Sequence, residues 1–514
     1  MKLNMSAMKF NAAICLTLAL PLTWLTTWTA AQQDNTPPRP SQDALPATPP
    51  EQDDRVANEL GNADQNPASS DPSARILQTL QAMVPFEISE SGMEPEMTAA
   101  IRKFVTGQEE DARKMLEQLR EKQPDLPPSD LIFGGILFAT GDTAQGRRWL
   151  ERCVNTDPKY PTAWTGFARI ALSERRFADA EALLEKADRV TAAGDWNEKQ
   201  QKLFRGEFLD GMVDVSVARG KLEDARAYLI ELRELVPDNS KIPLRLGQVE
   251  FDLENVDSSL KYLREARQQS PELRVPEVII AEWFLRKQKP DESRKWIDRA
   301  AAENPDDVSV QVDLARWLLQ NEEYPEAMVA VEEAAGKGAD PNLVRFIKGQ
   351  VAFSRRDYDL AQMHFGELLK SAPADADANN MMALSLIENE DATKHDRALE
   401  MALLNQRMYP RSPTAAATVG WIYYRMGRMA EAENVFRQIA SAKSMEPATA
   451  FFVASFLANR GETGSARTLL ERAINSQSYF MYRNAARELL SRINQPSSPQ
   501  GPADPPATSD PPDG

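Results

Sequence analysis

A small residue returns through this chain at an almost constant interval. Ala112, Gly146, Ala180, Ala225, Ser259, Ser293, Ala327, Ala361, Ala398, Ala432 and Ala466 follow one another in steps of 34 residues, with a step of 45 before Ala225 and one of 37 before Ala398. A second small row runs ahead of it at Ala100, Gly134, Ala168, Gly247, Ala281, Ala315, Gly349, Gly420 and Ala454. Pro124, Pro158, Pro237, Pro271, Pro305, Pro373 and Pro410 recur at a fixed offset, where proline stops a helix and sets a turn. A period of this length means stacked supersecondary units rather than one globular core.

The unit is clearest from Pro161 to Gly194. Trp164, Phe167, Ala168 and Ala171 share one helix face, and Ala180, Leu184 and Ala187 share another. Ala168 and Ala180 leave room for the two helices to cross closely. A pair this small cannot bury its own apolar face and needs neighbours of the same kind.

The pattern resembles the tetratricopeptide repeat from near Met93 to near Phe480. The family signature, Trp-x2-Leu-Gly-x2-Tyr, then Ala-x3-Phe, then Pro, is matched by Trp164-x2-Phe167-Ala168, by Ala361-x3-Phe365 with Pro373, and by Gly420-x2-Tyr423 with Ala432-x3-Phe436. Ser259 and Ser293 depart from alanine, and Ala192 stands where the third unit lacks its proline. The resemblance implies an all-α fold: an α-solenoid of about eleven 34-residue helix-turn-helix repeats forming a right-handed superhelix, with capping helices. It also implies that ligands bind the concave groove lined by first helices.

The ends read differently. Met1–Ala31 has a basic start at Lys2 and Lys9, an apolar run from Ala12 to Leu25, and small residues before Gln32, as a secretory signal does. Its removal takes away two positive charges, so the formal charge goes from −17 to −17 − 2 = −19. The expected location is periplasmic or secreted, with an uncleaved membrane anchor as the alternative. Cys15 follows Ile14, a poor context for lipid attachment. Residues 32–73 and 495–514 are proline-dense, with almost no aliphatic residues, and read as a disordered linker and tail. Ile76, Leu77, Leu80 and Met83 mark an N-terminal capping helix over 74–92; the solenoid runs 93–480, and a C-terminal capping helix 481–494 closes it.

Chemistry is sparse in this sequence. It has no phosphate-binding glycine loop, no metal-ligand spacing and no nucleophile elbow. His364 sits on a second helix beside a core position, and His395 lies in the inserted Glu388–Asp396 stretch, which reads as a solvated loop. With the signal removed Cys153 is the single thiol, at a position suited to a small buried hydrophobe. The reading is of a chain with no cofactor, no metal and no catalytic role. An acidic pI near 4.9 argues against nucleic-acid or anionic-membrane binding through bulk charge.

What remains is surface. One position after the first-helix small residue stand Arg169, Asp214, Gln248, Glu282, Arg316 and Gln350, a polar row expected to face solvent. The same register brings Trp421, with Tyr424 beside it and Phe451 one repeat later, either as partner anchors in the groove or as rings packed between helices. The carboxylate clamp of peptide-binding family members, built from Lys and Asn on neighbouring first helices, has no match here. The functional expectation is a non-catalytic scaffold that binds partner proteins or peptides in the cell envelope. The alternative is an accessory subunit of an envelope enzyme or of a polysaccharide or protein export system.

Overall fold

The structure, a computed structural model, describes residues 94–439, 445–476 and 478–495. The signal-like start, the linker, the expected 74–92 helix and the tail from 496 lie outside the described residues. The chain divides into two compact units, one ending at Leu273 and one beginning at Arg274.

The first unit holds five helix pairs: α1 (Glu94–Val105) and α2 (Glu109–Lys122), α3 (Ser129–Ala139) and α4 (Thr143–Thr156), α5 (Pro161–Ser173) and α6 (Phe177–Ala193), α7 (Glu198–Ala218) and α8 (Leu222–Leu235), and α9 (Lys241–Asp252) and α10 (Val256–Gln269). The second holds six: α11 (Pro276–Arg286) and α12 (Pro290–Glu303), α13 (Val308–Gln320) and α14 (Tyr324–Gly336), α15 (Pro341–Ser354) and α16 (Tyr358–Ser371), α17 (Ala376–Glu388) and α18 (His395–Met408), α19 (Pro413–Arg425) and α20 (Met429–Ile439), and α21 (Pro447–Asn459) and α22 (Thr463–Ile474). A last helix, α23 (Arg483–Asn494), follows. Among the described residues there is no strand. The protein is an all-α array of paired helices.

The recurrent small residues lie where each pair crosses. Ala112, Ala180, Ala225, Ala327, Ala361, Ala398, Ala432 and Ala466 have no solvent exposure at all. At Gly349 a Cβ would stand 2.5 Å from Cε1 of Phe365, closer than two carbons can approach, so the α15–α16 crossing admits only glycine without a shift. The two serine departures are accommodated chemically. Ser259 Oγ donates to the carbonyl of Gly247 at 2.7 Å, and Ser293 Oγ to that of Ala281 at 2.6 Å. Each buried hydroxyl thereby finds an acceptor on the partner helix instead of remaining unpaired.

The punctuation is equally regular. Pro124, Pro158, Pro237, Pro271, Pro305, Pro373 and Pro410 each stand two residues beyond the end of a second helix. Within the pairs, the turn passes through left-handed backbone five residues before the small position. Glycine supplies it at 107, 141, 220, 427 and 461, and Arg175, Glu254, Gln288, Glu322 and Arg356 supply it elsewhere.

Both departures from the 34-residue step have local causes. The longer one extends α7 to 21 residues, capped by Asn197 and Gln200, whose side chains bond reciprocally to each other's backbone N–H. Trp196, just ahead of it, packs against Tyr160 and Phe204 at centroid distances of 5.8 and 5.0 Å. The shorter one is a 3-10 turn, Ala392–Lys394, before α18, and His395 there contacts the carbonyl of Asn389. Cys153 is wholly buried, and burial pushes its thiol pKa up to about 12.

Candidate partner-binding surfaces

In the first unit the first-helix face carries a charged network across α5, α7 and α9. Glu207, Asp210 and Asp214 follow one another at helical spacing along α7. Arg245, from α9, spans two of them: Nη1 pairs with Asp210 and Nη2 with Asp214 Oδ1 at 2.6 Å. Glu207, nearly buried, accepts from Thr165 Oγ1 of α5 at 3.0 Å. Burial raises its carboxyl pKa above the ordinary range; the Arg169 charge opposes the rise and Asp210 adds to it. Asp214 is also raised, again by burial first, although 46% of its side-chain surface remains open. Arg169 is half-buried beside these carboxylates, and its charge favours the ionised forms of Glu207 and Asp214. Among the described residues no ion pair within 4.0 Å ties it down. Gln248 donates to Asp252 along α9 at 3.0 Å. The residues expected here, Arg169, Asp214 and Gln248, thus share one face and are at least partly open. Glu207, Asp210 and Arg245 complete the network. They were absent from the sequence reading because they lie outside the single register position it followed.

In the second unit Glu282 and Arg316 are exposed. Arg274 bridges Glu282 and Asp313, with Nη2 2.9 Å from Asp313 Oδ1. Gln350 is half-buried, and its carbonyl accepts from the Tyr479 hydroxyl at 3.2 Å.

The aromatic residues fall elsewhere than in an open groove. Trp421 is 4% exposed, stacked on Phe452 at 4.6 Å, and donates Nε1 to Glu388 Oε1 at 2.8 Å. Phe451 is 5% exposed and stacks on Tyr482 at 5.1 Å. The expectation that Trp421 and Phe451 anchor a partner is therefore corrected: rings buried to this degree belong to the core. Tyr424 is half-buried, tilted against Trp421 and edge-on to Phe456. What covers the rings is the stretch leading into α23. Tyr482 contacts Phe353, Trp421, Phe451 and Phe452 and donates its hydroxyl to Glu388 at 3.2 Å. The last helix was expected only to close the end of the array. Instead, Glu488 pairs with Arg356 at 2.9 Å and Arg487 with Glu322 at 2.7 Å.

Family models described as "Tetratricopeptide repeat" match residues 212–273, 281–342 and 414–444. These segments are tetratricopeptide repeats. No curated protein matches the chain. Among solved structures it is similar to yeast Tom70, at 13% identity and a TM-score of 0.35, covering 78% of this chain and 95% of that one. It is also similar to a tetratricopeptide repeat protein from Parabacteroides merdae, at 14% identity and a TM-score of 0.31, covering 56% and 98%. A third is the Cut9 and Hcn1 hetero-tetramer of the APC/C, at 13% identity and 0.34, covering 82% and 88%. Tetratricopeptide repeats are, as a class, protein-interaction modules rather than catalysts, and no catalytic family model matches.

Proposed function

We propose that this chain is a non-catalytic scaffold of the cell envelope and that it binds a partner protein on the first-helix face of its first unit. The observation that carries the reading is the network around α7. Among the described residues it leaves Arg169 without an ion pair and Asp214 half open, beside Glu207, whose burial makes it hold its proton more tightly than usual. A face built only for solubility has little reason to crowd three carboxylates and two guanidinium groups between neighbouring helices, because desolvating charges is costly. A partner that brings its own charges completes such pairs and is oriented by them. The envelope location rests on the signal-like composition of Met1–Ala31.

The test uses a partner recovered from an envelope extract with the intact chain as bait. The variant Arg169→Ala should keep the wild-type melting curve and bind that partner at least about tenfold more weakly, the scale of loss expected when an interface charge is truncated. Unchanged affinity at unchanged stability refutes the assignment of this face.

A further inference from the structure

Each second helix turns two rows of residues outward, two and six positions after its small residue, and the two rows lie one turn apart on the same face. From α2 to α12 the first row reads Lys114, Arg148, Ala182, Ala227, Lys261 and Lys295. In α14 and α16 it changes to Val329 and Met363, which are 59% and 52% exposed. In α18 it reads Glu400, and the second row supplies the apolar residue instead, Leu404 at 50%. The second row in α14 and α16 holds Glu333 and Glu367. Three successive second helices therefore each show solvent one large apolar side chain and one glutamate, a turn apart. Among the described residues, six of the eight exposed large apolar side chains belong to this second unit. Acids prevail around them. Together α14, α16 and α18 hold seven acids against three bases, Lys370, Arg397 and Arg407, and Lys370 is paired with Glu367 at 2.6 Å.

We propose that this outer face docks a basic amphipathic helix of a partner protein, with its apolar side chains on Val329, Met363 and Leu404 and its lysines or arginines on Glu333, Glu367 and Glu400. The site stands apart from Arg169 and the first unit. A single exposed leucine needs no explanation, but large apolar residues on the outer face of successive helices mark an interaction surface. Charge selects the occupant. The glutamates repel an anionic lipid surface. A second copy of the same face sets glutamate against glutamate, and the base-rich outer rows from α2 to α12 offer it no large apolar residue. A helix that carries an apolar stripe with lysine or arginine one turn away satisfies both demands. Packed helices stand about 8–10 Å apart at the closest, so the anchors of such a helix recur about every two turns, a rise of about 10 Å.

The test uses a fluorescent helical peptide of alanine and lysine with leucine recurring about every two turns, and its counterpart with glutamate in place of lysine. Each is titrated against three full-length chains: the intact one, Val329→Ser/Met363→Ser/Leu404→Ser, and Glu333→Gln/Glu367→Gln/Glu400→Gln. All six positions are exposed, so both variants should keep the wild-type melting curve. The lysine peptide should bind the intact chain saturably, and each variant at least about tenfold more weakly. Added salt should weaken its binding to the intact chain and have less effect on the glutamine variant. The glutamate peptide should bind none of the three. Equal binding of the lysine peptide to the intact and serine chains overturns the proposal, because the peptide is then held by bulk charge alone. Absence of saturable binding to the intact chain also overturns it. Two further outcomes name a different occupant and refute the basic helix: an intact chain that sediments as a dimer while the serine variant is a monomer, and phosphatidylglycerol vesicles that bind the intact chain but not the serine variant. Arg169→Ala should bind the lysine peptide as the intact chain does, so the two sites fail separately.

Discussion

Two glycines in the two helices of one pair should respond in opposite directions to the same substitution. Gly349 lies in α15 and Gly366 in α16, both inside helices, where alanine is intrinsically favoured over glycine by about 1 kcal/mol. At Gly366 the added methyl would meet only Met382 Cε, at 3.4 Å, an ordinary contact. At Gly349 it would stand 2.5 Å from Cε1 and 2.6 Å from Cζ of Phe365. That ring is fully buried and already edge-on to Phe346 at 5.8 Å, so it has nowhere to retreat without moving the helices. Overpacking of this kind costs about 1–3 kcal/mol. Gly366→Ala should therefore stabilise the second unit by up to about 1 kcal/mol, the propensity gain alone. Gly349→Ala should be neutral or destabilising by up to about 2 kcal/mol, the overpacking cost less that gain. The difference between the two variants, about 1–3 kcal/mol, isolates the clash from helix propensity. Urea unfolding followed by far-ultraviolet circular dichroism reads it, and native-state hydrogen exchange on α15 and α16 localises it. Equal stabilisation by both variants would show that the close crossing at Gly349 does not constrain the array.

Three further outcomes follow from particular environments. Trp421→Ala should lower stability by about 3–5 kcal/mol, the range for an aromatic removed from a core, whereas Tyr424→Ala should cost less; equal small losses in urea unfolding would place Trp421 at the surface after all. Glu207 holds its proton more tightly folded than unfolded, so the folded state binds more protons and stability falls as pH rises from the ordinary carboxylate range through the raised folded pKa. Glu207→Gln, which can still accept from Thr165, should flatten that part of the stability–pH curve, and an unchanged slope refutes the assignment. The Cys153 thiol, buried with its pKa near 12, should react with a thiol reagent at neutral pH only as fast as the first unit opens; rapid labelling of the native chain would contradict its burial.

The fold was legible because its constraint is local and repeated. Two helices crossing at 34-residue intervals demand a small residue at each crossing, and a single such row, from Ala112 to Ala466, locates every pair described here. The helix stops were equally readable, since proline cannot extend a helix and stands two residues past the end of seven of them. The left-handed turn position was harder to see, because glycine fills only part of it. At Arg175, Glu254, Gln288, Glu322 and Arg356 the backbone takes that conformation with a side chain attached. Such a residue bears a cost that glycine would avoid, so composition gives no cue to it.

The surfaces were legible only where register alone decides exposure. The position after the small residue carries Arg169, Asp214, Gln248, Glu282, Arg316 and Gln350, and each of these is at least partly open. What register cannot reveal is a segment returning from more than a hundred residues away, because a repeat pattern reports contacts between neighbours. Even so, the sequence held a trace of it. The row changes character after Gln350: the next members are Leu384 and Trp421, both buried, and then Ser455, buried with its hydroxyl donating to the Phe451 carbonyl at 2.8 Å. A solvent-facing row has no reason to turn to leucine and tryptophan. The lapse requires something to cover that end of the face, and the aromatic residues Tyr479, Phe480 and Tyr482 lie within the same third of the chain. Read by the same rule that opened the polar half of the row, Trp421 belonged to a covered surface from the start, and the structure supplies the cover in Tyr482.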